Sequence, residues 1–204
     1  MPGPFGNPLG STSANPVLGG LPLGATPKAS SSAPYTVVYG DNSGYVVAAN
    51  QTWTCPKTGT YRFVQWGQGG YGNGGAPFGG GAAQAQTVRK IAAGATVTIN
   101  SDPTDGTRGT KVTLTLPDGT VVATLGGQNS ASGGAAGTAS GGDINVTGSV
   151  GVGGGGNAAS YGDFTGGVGA GNGTLPQYGV TPGGGATSSS YEPGSALVII
   201  IREA

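Results

Sequence analysis

Between Gly126 and Gly185 the chain places 23 glycines among 60 residues, with almost no charge and scattered apolar side chains such as Ile144, Val146, Val150, Val152 and Val168. Amphipathic helices are excluded there, because each interior glycine costs roughly 1 kcal/mol against alanine. Collagen is excluded too: Gly133, Gly134, Gly137, Gly141, Gly142, Gly148 and Gly151 keep no third-residue frame. What remains open is a flexible glycine linker, or backbones that approach closely in polyproline-like conformations and bond to neighbouring segments. The aliphatic run Ala196–Ile201, which needs burial, follows this stretch and argues for order.

At 204 residues the chain holds one domain and an arm, or two small domains. Eight basic and eight acidic residues cancel, which leaves no electrostatic footprint for nucleic acid. Charged residues make up 8% against a usual quarter. A surface so poor in charge suits a chain that lives in an assembly. There is no histidine, so the commonest general base and metal ligand is absent. The single cysteine, Cys55, forms no intrachain disulfide and reads as a small buried hydrophobe. The start, Met1-Pro2-Gly3-Pro4, lacks the basic and apolar regions of a signal peptide, and the last apolar run is too short for membrane insertion.

Residues 1–34 carry seven prolines among glycines and serines, which predicts an extended arm that joins no central sheet. Its isolated Phe5, Leu9, Val17, Leu18, Leu21 and Leu23 are spaced as anchors for grooves on a partner, with a disordered tail as the other reading.

The domain, residues 35–204, reads as strands. Tyr35–Tyr39 and Tyr45–Ala48 flank a turn, and Gln51–Thr54 is followed by Gly59–Trp66, whose two faces both carry large residues and mark a central strand. Residues 67–82 read as a glycine-rich loop. Ala83–Ile91 and Thr96–Ile99 follow, and then Lys111–Leu116 and Thr120–Leu125 around Pro117-Asp118-Gly119 make a hairpin. The glycine-rich loop region 126–185 leads to a closing core strand, 196–202. Its unbroken Leu-Val-Ile-Ile-Ile has no alternation, the mark of burial on both faces. The fold class expected is all-β: a jelly-roll-like β-sandwich with long glycine-rich loops able to pack in the polyglycine manner, preceded by an extended N-terminal arm.

No paired acid and base stands out. Asp102, Asp105, Asp118, Asp143, Asp163 and Glu192 sit in turn contexts, where carboxylates bond their own backbone. Asp102–Gly106 lacks the alternating oxygen ligands of a calcium loop, and Gly151–Gly156 lacks the Lys-Ser/Thr of a phosphate loop. No catalytic residue, metal site or cofactor is assigned, and the chain is read as no enzyme. Tyr71, Phe78, Tyr161, Phe164 and Tyr178, on the glycine-rich segments, are either plugs of the core or receptor-contact residues.

The run Gln51-Thr52-Trp53-Thr54-Cys55-Pro56-Lys57-Thr58-Gly59-Thr60-Tyr61-Arg62-Phe63, with Trp66-Gly67 and Gly69-Gly70 after it, resembles the glycine-rich domain of bacteriophage virion proteins. Pro193-Gly194 before the aliphatic strand fits the same resemblance, which spans roughly residues 45 to 204. Pro56, Gly59, Tyr61 and Phe63 also look like the trimeric complement/tumour-necrosis-factor type jelly roll. The resemblance implies a homotrimeric, non-enzymatic structural protein of a virion, made in the host cytoplasm: a capsid decoration or tail-fibre component docked on other virion proteins by its arm. The alternative is a host-attachment adhesin that binds a surface receptor through glycine-rich loops. A polysaccharide-acting enzyme is a remote third.

Overall fold

Alternation of apolar and polar residues, and the turns between them, set most of the strands. The computed structural model describes residues 35–40, 51–72, 78–102, 107–129, 133–152, 154–170, 179, 182–186 and 193–203. The arm 1–34, with Phe5, Leu9, Val17, Leu18, Leu21 and Leu23, lies outside the described residues, as does Tyr178.

The described residues contain no helix and form two five-stranded antiparallel sheets, an all-β sandwich. The strands are β1 Tyr35–Gly40, β2 Gln51–Thr54, β3 Gly59–Trp66, β4 Gln84–Ile91, β5 Thr96–Asp102, β6 Lys111–Thr115, β7 Val121–Thr124, β8 Ala139–Ser140, β9 Ile144–Val146 and β10 Leu197–Arg202. One sheet has the order β1-β10-β3-β4-β9 and the other β2-β5-β6-β7-β8. Residues 45–48, expected as the hairpin partner of β1, lie outside the described residues; β1 itself pairs with β10.

The aliphatic strand sits where its sequence requires. β10 lies between β1 and β3, with Ile199 opposite Val64 and Ile200 opposite Phe63. Val198 and Ile200 enter the core between the sheets, whereas Leu197 and Ile199 join Val64 and Trp66 on the outer face. The inter-sheet core sets Tyr61 and Phe63 of β3 against Val97, Ile99, Val112 and Leu114 of the opposite sheet. Each fully buried side chain of this size contributes about 1.5–3 kcal/mol. Trp53 of β2 bridges the layers, its ring edge-on to Tyr61 and Phe63 at centroid distances of 5.1 and 5.9 Å.

The β6–β7 hairpin closes as its Pro-Asp-Gly turn demands. Gly119 takes φ +83°, and Asp118 Oδ1 accepts from Thr120 N at 2.8 Å. Cys55 is buried, its thiol donating to Lys57 O at 3.2 Å, in keeping with a packing role.

At one end of the sandwich β3 runs into residues 67–72, 78–83 run into β4, 109–110 into β6, β7 into 125–128, and 193–196 into β10. The ends of β1 and β5 lie there too, and the glycine-rich segments that continue the other five strands form a second body.

Candidate functional site

Segment 79–83 is the axis of that body. Its amides donate outward one after another: Gly79 to Ala186 O, Gly80 to Gln128 O, Gly81 to Ser149 O, Ala82 to Gly183 O and Ala83 to Leu125 O. Donors three apart reach the same neighbour, since Gly79 and Ala82 both bond 182–186 while Gly80 and Ala83 both bond 125–128. That is the period of a polyproline-type helix, with three residues per turn and no internal hydrogen bonds. Its carbonyls point in three other directions. Gly79 and Ala82 accept from Gly156 and Ala159, Gly80 accepts from Gly70, and Gly81 accepts from Gly137. Six extended segments thus surround one, each backbone polar group bonding across the lattice instead of along its own chain.

The neighbours repeat the period. Leu125 and Gln128 donate to Thr138 O and Ala135 O, Gly148 and Gly151 to Gly137 O and Gly134 O, and Gly155 and Ala158 to Ala170 O and Gly167 O. Glycine content follows from how many sides of a segment are covered. A Cβ on Gly79, Gly80 or Gly81 would meet the carbonyl oxygens of Gly70, Ala135 and Asn157 respectively, so all three positions of that turn exclude a side chain. In 166–170 a Cβ is excluded at Gly166 and Gly169, whereas Val168 between them is 60% exposed. The described residues of the stretch that resembled a linker by composition are close-packed.

The sheet that faces the lattice is riveted to it. Trp66 Nε1 donates to Ala159 O at 2.9 Å, Gln84 Nε2 to Phe164 O at 3.2 Å and Gln86 Nε2 to Tyr161 O at 3.1 Å. Gln65, on the opposite face of β3, donates to Val122 O at 3.1 Å. These glutamines are essentially fully buried. Sequence reasoning passed over them; the signal was Gln at strand positions directly beside glycine runs.

A second fixture closes the edge of β4. Its partner β9 covers only Gln84–Gln86, so the amide of Val88 needs another acceptor. Asp143 Oδ2 provides it at 2.8 Å and also accepts from Thr87 Oγ1, while Arg89 Nη1 reaches Oδ1 at 2.9 Å. The Val88 amide and then the Arg89 guanidinium hold the Asp143 carboxyl below its usual range. Asp118 is likewise lowered, first by the Thr120 amide. Both carboxylates are thus kept ionised, the opposite of what a general acid needs. Among the described residues no group of three or more His, Cys, Asp or Glu is placed to hold a metal ion.

The aromatic candidates divide. Phe78 and Phe164 are buried, Phe164 with Trp66, Val64, Leu197, Ile199 and Ala158, so these two rings are plugs. Tyr71 is half-buried, its amide donating to Asn129 Oδ1 at 2.9 Å. Tyr161 is 49% exposed, on a turn where its amide and that of Phe164 bond each other's carbonyls. Residues 67–72 and 78–82, expected as a loop, are almost wholly interior. Among the described residues, four of the five large apolar side chains left exposed, Val150, Val152, Tyr161 and Val168, lie on the outer lattice segments. These four side chains project outward from segments whose backbones are bonded to their neighbours. Comparison with protein-family models and with curated proteins returns no match.

Proposed function

We propose that this chain is a non-enzymatic structural protein of a bacteriophage virion, a surface decoration or fibre component held by residues 1–34 and assembled as a homotrimer. The observation that carries the reading is the lattice: some eight segments fixed to one another by backbone bonds, with glycine and alanine at most interior positions, make a mechanical body and not a reaction vessel. The proline-rich arm, the low charge and the resemblance at Gln51–Phe63 support the same reading. The test is protein mass spectrometry on purified particles of the source virus, with light scattering of the full-length chain. A stoichiometric particle component that is trimeric, and that is lost from particles when residues 1–34 are deleted, is expected. Absence from particles, or a monomer in solution, removes the reading.

A second reading, a host-attachment adhesin, is favoured by the exposed Val150, Val152, Tyr161 and Val168 on the outer segments. Tyr161→Ala with Val152→Ser separates the two. Normal incorporation with lost adsorption supports the adhesin, and unchanged adsorption supports the decoration role.

A further inference from the structure

The two ends of the sandwich differ in charge. Five cations lie at or near the end away from the lattice: Lys57 between β2 and β3, Arg62 on β3, Arg89 and Lys90 at the end of β4, and Arg202 at the end of β10. The carboxylates there are taken. Glu203 pairs with Arg62 at 2.7 Å, and Asp118 and Asp143 both pair with Arg89, at 3.7 and 2.9 Å. Lys57 and Lys90, both exposed, and Arg202 have no carboxylate partner among the described residues.

Arg202 is the most telling of the three. Its guanidinium lies over the backbone of Gly59, with Nε 2.9 Å from where a Cβ would stand, and Nη2 donates to Thr58 O at 3.5 Å. Nε is buried with no acceptor among the described residues. A guanidinium offers five donors in a fork that fits a carboxylate; Nε is covered by the chain itself, and Nη1, with no acceptor among the described residues, is the end left for a partner. At the lattice end Lys111 stands opposite Asp102 in the β5–β6 register.

Among the described residues, the carboxylates paired with cations at this end are Glu203, Asp118 and Asp143. β1 begins at the cationic end, Tyr35 opposite Ile201, so the 34 residues before it join the domain there, and their only charged side chain is Lys28.

We propose that this end is a docking face for an acidic protein surface, with Lys57, Lys90 and Arg202 pairing with the partner's carboxylates where residues 1–34 enter the domain. The lattice then points away from the partner. The inference rests on the reading of the chain as an anchored structural protein, and adds which face is inward and what chemistry it meets.

The test is calorimetric titration of the full-length chain with a synthetic oligoglutamate peptide. Saturable binding that weakens as salt rises is expected, because exposed charge pairs are screened. Lys57→Glu combined with Lys90→Glu should weaken it roughly tenfold or more, while Lys111→Gln at the lattice end leaves it unchanged. Both lysines are exposed, and an unaltered melting curve confirms that the double variant is folded. No saturable binding, or equal binding by the double variant, overturns the proposal. Tighter binding of a DNA duplex with the same lysine dependence overturns the carboxylate assignment. Oligoglutamate binding by a protein absent from particles would remove the virion reading and leave the docking face standing; incorporation without oligoglutamate binding would do the reverse.

Discussion

The indole of Trp66 donates to the carbonyl of Ala159 at 2.9 Å, a bond between the last residue of a central strand and the interior of the glycine lattice. Trp66 is 1% exposed and Ala159 is buried, so water cannot replace either partner. Trp66→Phe keeps an aromatic ring but leaves a buried carbonyl without its donor, and should cost about 2 kcal/mol, on the scale of an orphaned buried polar group. Chemical denaturation of the two proteins measures it; an unchanged midpoint would mean the sheet and the lattice are held together elsewhere.

Gly80→Ala should destabilise by about 1–3 kcal/mol or prevent folding, because the added methyl meets the carbonyl oxygen of Ala135 on a segment held by its own bonds. Val168→Ala, at an exposed position of an outer segment, should stay within about 0.5 kcal/mol of the parent. The contrast separates a lattice from a linker, in which alanine would be tolerated at both sites.

Hydrogen exchange addresses the same point without substitution. The amides of Gly79, Gly80 and Gly81 bond to three different segments, so none can open unless several segments separate. They should exchange as slowly as amides of β3, read by NMR or by mass spectrometry after proteolysis. Exchange at the rate of free peptides would refute the packing.

Asp143 gives a pH signature. Its folded-state acidity is raised by the Val88 amide and the Arg89 guanidinium, so its contribution is fully present above the unfolded carboxylate value of about 3.9 and is lost as pH falls through the lower folded value. Stability should therefore drop below about pH 4, and Asp143→Asn should flatten that part of the curve while lowering stability at neutral pH. Melting temperatures across the acid range test this; parallel curves would show that Asp143 does not carry the effect.

How much of this was legible from residues depended on the range of the interaction. The Pro117-Asp118-Gly119 hairpin and the double-faced burial of β10 were, because a turn and an unbroken aliphatic run are local statements. The possibility of cross-segment bonding in the glycines was legible, but not its register, since which carbonyl receives Gly80 depends on a segment almost fifty residues away. β8 and β9 were missed because they are short strands inside a glycine-rich context, held by neighbours and not by propensity. The buried glutamines were missed because polar residues at strand positions read as solvent-facing. The aromatic candidates could not be sorted, as Phe164 and Tyr161 stand three residues apart on one turn and only packing places one inside and the other out.

The position of β10 has a consequence in time. β1 and β3 are synthesised well before residues 197–202, yet they have no common neighbour until that strand slides between them, and the lattice segment 182–186 bonds to Ser195 just ahead of it. A ribosome-bound chain can close the local β5-β6-β7 meander early but must hold β1, β3 and many of the glycine segments unassembled until the last strand emerges. The fold is completed as one late event, and a chain truncated before Leu197 should leave no partly finished rigid body able to occupy the full-length protein's place.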